Sequence, residues 1–237
     1  MTIENMTKGS PISTGNNEID KKMGGGIPKG SLTLIEGASD AGKSVLSQQI
    51  IWGSMNSGCR ASVFTTENTV KSLISQMQSL NLDVLDYFLL GWLKIQSIKA
   101  MKATEAPGRA LPLLLQALKG QTGRDLVVVD SLTPFMSHAP VEEVISFFED
   151  CKNYSNDGMS TIMVVHSYAF DDSTLVRISS LCDAHLRLTI ETVGQQLVKS
   201  LEVAKVRGAE HKTGNIITFD VEPGMGMRIV PFSKARA

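Results

Sequence analysis

The stretch Gly37-Ala-Ser-Asp-Ala-Gly42-Lys43-Ser44 constrains this chain more than any other, because it carries the spacing G-x-x-x-x-G-K-S. The apolar run before it, with Leu32, Leu34 and Ile35, predicts a buried strand that stops at Gly37. After it, Val45, Leu46, Ile50, Trp52 and Met55 predict a helix with an apolar side. Strand, glycine-rich turn and helix together are the setting of a phosphate-binding loop. Gly37 is expected to permit the tight turn off the strand. Gly42 is expected to let the backbone approach a phosphate where a Cβ would collide. The backbone through Gly37, Ser39, Asp40, Ala41, Gly42, Lys43, Ser44 and Val45 would then wrap the phosphates, with the positive end of the helix aimed at them. Lys43 suits the β- and γ-phosphates, and the Ser44 hydroxyl is a hard oxygen ligand for Mg²⁺. The spacing predicts a nucleoside-triphosphate site.

Five further residues bear on that chemistry. Asp130 closes the continuous apolar run Leu126-Val-Val-Val129, which predicts a central strand buried on both faces. Such a strand delivers a carboxylate rigidly beside the phosphate loop, where it holds Mg²⁺ directly or through a water. Glu67 is expected to end the strand after the phosphate-loop helix, where a carboxylate can activate the attacking water; a solvated strand-end acid is the plainer reading. Lys205 and Arg207 alternate on one face of a late strand. They read either as a solvated edge or as a pair completing a neighbouring subunit's site. His166 follows another central strand, Thr161–Val165, as a γ-phosphate sensor or a structural histidine.

Length and composition bound the rest. The chain has 237 residues, 42% hydrophobic and 20% charged, as suits one sizeable α/β domain. Residues 1–10 read as a loose tail and 11–237 as that domain. The net charge of −1 argues against a nucleic-acid partner. Cys59, Cys151 and Cys182 show no C-x-x-C spacing and read as buried free thiols, with no histidine spacing for a structural zinc. No run is long and apolar enough to span a bilayer, so a cytoplasmic location is expected, with any membrane contact made through partners.

Along the chain, residues 13–20 predict a turn into a short helix with Ile19 and Met23 inward. Gly24-Gly25-Gly26 reads as a flexible connector or as a backbone wall beside the nucleotide. Val70, Leu73, Ile74, Met77 and Leu80 form one helical stripe, capped by Asn68 or Thr69. A strand is expected at Leu93–Ser97, a loop at Ala100–Arg109 and a helix at Leu111–Leu118. Val141, Val144, Ile145, Phe148 and Cys151 predict a helix with those residues inward, and Leu175–Cys182 another. Beyond residue 183, alternating strands and a turn at Val193-Gly194 predict an antiparallel extension of an otherwise parallel sheet.

Several of these stretches resemble a known group. Ser13-Thr-Gly15, Gly24-Gly-Gly-Ile-Pro28, the phosphate loop, Asp130-Ser-Leu-Thr133 and Lys205-Val-Arg-Gly208 resemble the KaiC branch of the RecA-like ATPases. More narrowly, Thr65-Thr-Glu-Asn-Thr69, Asp86-Tyr-Phe-Leu-Leu-Gly91, His166-Ser-Tyr-Ala-Phe170 and Glu202-Val-Ala-Lys-Val-Arg-Gly-Ala-Glu210 resemble the archaellum accessory family FlaH, also called ArlH. The resemblance runs from about residue 12 to the C-terminus. It implies a RecA-like three-layer α/β fold, ATP and Mg²⁺ as ligands, and a hexameric ring in which Lys205 and Arg207 reach across the interface. It also implies a place at the cytoplasmic base of the archaellum, beside the motor ATPase FlaI, the membrane protein FlaJ and, in some archaea, the scaffold FlaX. Two departures bear on turnover. KaiC-type proteins carry two adjacent acids where this chain has Glu67-Asn68, and KaiC has two ATPase domains to this chain's one.

Overall fold

The computed structural model describes residues 10–98, 109–137, 139–193, 196–208 and 215–230. The expected tail at 1–10 falls outside these residues except for Ser10, the expected loop at 100–109 except for Arg109, and the expected turn at Val193-Gly194 except for Val193. The strands are β1 (Leu32–Gly37), β2 (Ala61–Thr65), β3 (Leu93–Ser97), β4 (Leu126–Asp130), β5 (Ser160–His166), β6 (Ala184–Val193), β7 (Gln196–Val206), β8 (Ile216–Glu222) and β9 (Gly226–Ile229). They form a sheet in the order β3-β2-β4-β5-β1-β6-β7-β8-β9. The pairs from β3 through β6 are parallel, and β6-β7, β7-β8 and β8-β9 are antiparallel. The sheet is therefore mostly parallel with an antiparallel C-terminal part, as its sequence patterning predicts. The continuous apolar runs lie at its centre: Val127, Val128 and Val129 of β4 and Met163, Val164 and Val165 of β5 are fully buried.

Helices cover both faces, giving three layers. On one side lie α1 (Asn17–Lys22), α2 (Lys43–Asn56) and α3 (Val70–Ser79), with Ile19, Leu46, Ile50, Leu73 and Met77 in one apolar core. On the other lie α5 (Ala110–Lys119), α7 (Val141–Asn156) and α8 (Asp172–Leu181), with Leu114, Phe148 and Ile178 in a second core. The short helices α4 (Leu85–Leu89) and α6 (Thr133–Met136) complete the set. Helix α3 begins at a capping box in which Thr69 and Ser72 satisfy each other's backbone N–H groups.

Three local expectations need correcting. Helix α2 has no single apolar side, because Ser47, Gln48, Gln49 and Gly53 are buried as well as Leu46 and Ile50. The segment Ser13–Gly15 crosses its outer face, and a Cβ on Gly53 would meet Gly15 N at 2.3 Å. In α7, Val141 opens the helix beyond the packed layer and is 37% exposed, while Phe147 is buried in its place. The triple glycine is neither a free connector nor a nucleotide wall. Gly26 has φ +119°, and a Cβ there would lie 2.6 Å from the Ile12 carbonyl oxygen. That close approach lets Ile12 and Ile27 exchange hydrogen bonds of 2.7 and 2.9 Å.

Candidate functional site

In an open parallel sheet, ligands collect at the carboxyl ends of the strands, where the winding direction changes. Here β1 ends in the phosphate loop, and β4 and β5 bring Asp130 and His166 to the same edge. A cavity of about 410 Å³ opens there, lined by Ser39, Asp40, Gly42, Lys43, Ser44 and Val45 of the loop and α2. Glu67, Asp130, Ser131 and His166 close one end. Gly37 and Ala41 do not line this cavity.

The two motif glycines serve different ends. Gly42 has φ +97°, a backbone state that side chains rarely adopt, and it starts α2. Gly37 has no such φ; a Cβ on it would lie 2.5 Å from the Leu188 carbonyl oxygen. Its missing side chain lets β1 and β6 close together. The tight turn expected at Gly37 falls instead around Asp40, with φ +60°, and Gly42.

Lys43 is 6% exposed and donates to the Ala38 carbonyl at 2.6 Å, while its Nζ lies 3.4 Å from His166 Nδ1. Burial lowers its pKa, against the pull of Asp130, Glu67 and Asp40. Asp130 accepts from Ser44 Oγ at 3.3 Å and Ser47 Oγ at 2.8 Å. Burial raises its carboxyl to about 6, with Glu67 adding to the rise and Ser47, Ser44 and Lys43 opposing it. Ser44 and Asp130 thus present hard oxygens side by side, a donor set that fits Mg²⁺. Glu67 lies past the end of β2, which stops at Thr65. It stands in a bend tied to β4 by Thr66 N to Asp130 O (3.0 Å) and Ser131 N to Thr66 Oγ1 (3.1 Å). Its carboxylate is half exposed and lies 3.7 Å from His166 Nε2. Burial first and Lys43 second hold the His166 imidazole below its ordinary pKa.

Lys205 and Arg207 are not part of this cavity. Lys205 Nζ donates to the Ser179 and Ser180 carbonyls at 2.8 and 3.3 Å, and Arg207 Nη2 donates to Ser180 O at 2.9 Å. Both cap the negative end of α8. Sequence reasoning missed Ser47, which holds Asp130, and it missed Lys199 and Val221, which wall the cavity from β7 and β8. A signal for Lys199 was present: it interrupts the alternating apolar series Leu197, Leu201, Val203 of β7. It sits directly opposite Phe219, whose ring packs near Gly42.

A second polar cluster lies beside β1, toward β6. Glu36, 2% exposed, accepts from Arg187 Nε at 2.6 Å and lies 3.0 Å from His185 Nε2. Arg187 continues to Glu202 at 3.3 Å, and His185 Nδ1 meets Ser179 Oγ at 2.9 Å.

Comparison with known proteins follows the same lines. A family model described as "ATPase: KaiC" matches residues 12–234. The "Archaeal flagellar ATP-binding protein FlaH" of Sulfolobus acidocaldarius is 32% identical over 95% of this chain and 99% of its own. The chain belongs to the KaiC-type ATPases, in the FlaH family. The crystal structure of flagellar accessory protein FlaH from Methanocaldococcus jannaschii superposes with a TM-score of 0.80 at 26% identity, covering 94% of this chain and 99% of that one. With that relative, the mostly parallel three-layer sheet is the RecA-like fold expected from the sequence. A "Circadian clock oscillator protein KaiC" from Acaryochloris marina is 25% identical over 90% of this chain but only 41% of its own length. Among the described residues no helix is long and apolar enough to cross a membrane.

Proposed function

We propose that this chain is an ATP-binding switch of the archaellum motor, in which bound ATP governs docking and hydrolysis is slow or absent. The observation that carries the reading is the contrast inside one cavity. Lys43, Ser44 and Asp130 line the cavity together, where they would meet a phosphate and its Mg²⁺, whereas Glu67 stands half exposed in a bend, 3.7 Å from His166. Its neighbour Asn68 supplies no second acid. The phosphate loop, Gly37 and Ser39 to Val45, would hold the triphosphate. Lys43 would neutralise its β- and γ-oxygens, and Ser44 and Asp130 would hold Mg²⁺, which supplies further charge neutralisation there. Lys199 and Val221 would flank the nucleoside end, since β7 and β8 lie across β1 from Asp130 and His166.

A switch of this kind needs little energy. ATP at a hundred times its Kd favours the binding-competent state by about 2.7 kcal/mol, enough to decide whether a partner docks. The names of the FlaH relatives support an archaellum role, and the place we propose for it is the cytoplasmic base. The partners would be the motor ATPase FlaI, the membrane platform FlaJ and the scaffold FlaX. We further propose one domain over residues 11–237, and a hexameric ring on ATP binding in which Lys205 and Arg207 leave the end of α8 for the neighbour's phosphate.

Phosphate release and binding of FlaI, measured for the wild type, Lys43→Ala and Glu67→Ala, test the reading. A switch loses FlaI binding in Lys43→Ala and keeps it in Glu67→Ala. Rapid phosphate release that disappears in Glu67→Ala would instead support the second reading, a turnover ATPase or autokinase of the KaiC type.

A further inference from the structure

We infer that α4 and the Trp92 that follows it form a docking surface for an acidic, amphipathic helix of a partner protein, separate from the triphosphate cavity. Helix α4 is apolar on both sides. Tyr87 and Phe88 pack against the core that α1, α2 and α3 share, and the Tyr87 hydroxyl donates to Asn56 Oδ1 at the end of α2 at 2.9 Å. Leu89 and Leu90 are turned to solvent instead, 70% and 73% exposed, and Leu85, one turn before Leu89, is 37% exposed. Trp92, 36% exposed, is folded back toward α4, its N–H held by the Tyr87 carbonyl at 2.9 Å. Leucines on the solvent side of a helix leave water only against another molecule.

Charge indicates what kind of molecule. The Arg60 guanidinium lies over the Trp92 ring, 5.8 Å from its centroid, and Arg124 Nη1 donates to the Gly91 and Trp92 carbonyls at 2.9 and 2.7 Å. The two cations repel each other: burial first and Arg60 second lower the Arg124 pKa. Among the described residues neither forms a salt bridge. Asp125 is turned to the Arg60 backbone N–H at 2.7 Å and Asp83 to that of Leu85 at 3.1 Å. Asp86 is exposed at the start of α4, and Lys94 is exposed on β3. A partner that brings carboxylates to the Trp92 end relieves the repulsion there while its apolar side chains cover the leucines.

Shape narrows the choice to a helix. Leu85 and Leu89 project from successive turns, a ridge of the kind that packs into the groove of a second helix. The patch is on the order of a few hundred Å², less than the roughly 800 Å² that each partner buries in a standard interface. One short helix fits it better than a second copy of this chain. Arg60, Trp92 and Arg124 lie just before β2, β3 and β4, at the amino ends of the strands, whereas the phosphate loop and Asp130 lie at the carboxyl ends. Docking here is therefore independent of nucleotide, unlike the docking proposed above.

The probe is a fluorescein-labelled helical peptide with leucines along one face and glutamates beside them, and its anisotropy reads the affinity. Leu89→Ser and Leu90→Ser, at positions exposed enough to leave the fold intact by circular dichroism, should each weaken binding about tenfold. Arg60→Ser should weaken it less and reduce its salt dependence. The same peptide with lysines for glutamates should bind more weakly, and a non-hydrolysable ATP analogue with Mg²⁺ should leave the affinity of the acidic peptide unchanged. The inference is overturned if the acidic peptide does not bind, if the lysine peptide binds as well, if neither serine variant weakens binding, or if the analogue controls it. Self-association of the parent chain in sedimentation velocity that Leu89→Ser abolishes would give the patch to a second copy and overturn it too. None of these outcomes touches the ATP-binding reading, which concerns the opposite edge of the sheet.

Discussion

Two charged clusters flank the end of β1, and they are built on opposite principles. The Glu36 cluster is closed: a buried carboxylate lies against a guanidinium and an imidazole, and the guanidinium reaches a second carboxylate, across β1, β6 and β7. The Lys43 cluster is open. Its lysine leans on one carbonyl and one imidazole, and among the described residues its acid, Asp130, has only hydroxyl partners for its carboxylate within hydrogen-bond reach. The consequence shows in the two carboxyls. At Glu36 burial pushes the pKa up, yet hydrogen bonds from His185 and Arg187 outweigh it and hold the group below its ordinary value. At Asp130 burial wins, and the group rises to about 6. A polar cluster that serves the fold neutralises itself; one that serves a ligand leaves its charge for the ligand to neutralise.

The comparison breaks first if the closed cluster proves dispensable. Glu36→Ala should leave Arg187 and His185 without their acid and lower the unfolding free energy by about 3 kcal/mol. The loss stays at the lower end for a buried pair because the Arg187 side chain is 41% exposed and can turn to water. Chemical denaturation measures it. Lys43→Ala should do the reverse. Nucleotide affinity should fall about 100-fold, the loss of a charged hydrogen-bonding partner, by calorimetry. The unfolding midpoint without nucleotide should not fall, because the substitution removes a buried cation already held below its ordinary pKa by desolvation.

The pH dependence sharpens the contrast, since the two acids act with opposite sign. Glu36 has a lowered pKa in the fold, so its contribution is present above its unfolded value of 4.5 and is lost as pH falls through the folded value. Asp130 has a raised pKa, so it favours the fold below 3.8, and that favour is lost as pH rises to about 6. Asp130→Asn should therefore stabilise the nucleotide-free chain by about 3 kcal/mol at neutral pH and much less at pH 4. It should also remove the Mg²⁺ dependence of nucleotide binding. Glu36→Gln should flatten the acid limb of the stability profile. Denaturation at a series of pH values separates the two.

The open cluster was legible in the sequence and the closed one was not, for a physical reason. Phosphate binding needs consecutive backbone groups, so Gly42, Lys43 and Ser44 are neighbours in sequence as in space. Asp130 was legible because a continuous apolar run announces a central strand that ends where ligands bind. Glu36, by contrast, reads as an ordinary strand-end acid, and its partner Arg187 lies 151 residues away. Gly37 was misjudged for the same reason: its close neighbour, Leu188, belongs to a strand distant in sequence. Helix α2 lost its expected stripe because Ser13–Gly15 covers the side a stripe would leave polar. Register between distant strands and coverage by a remote segment leave no local pattern.

The smallest expected effect concerns the cations that belong to neither cluster. Lys205 and Arg207 rest on the carbonyls that end α8, contacts of a part-exposed lysine and a half-exposed arginine with a helix dipole. Interactions of that kind contribute less than about 1 kcal/mol, so Lys205→Met should scarcely move the unfolding midpoint. It should also leave nucleotide affinity unchanged at protein concentrations too low for assembly, because neither cation lines the cavity. At high concentration the outcome divides the readings. If Lys205 completes a neighbour's site, ATP-dependent assembly weakens in light scattering while the isolated chain binds ATP as before. If assembly is unchanged, the cations belong to the fold alone, and the open cluster around Lys43 is complete within one chain.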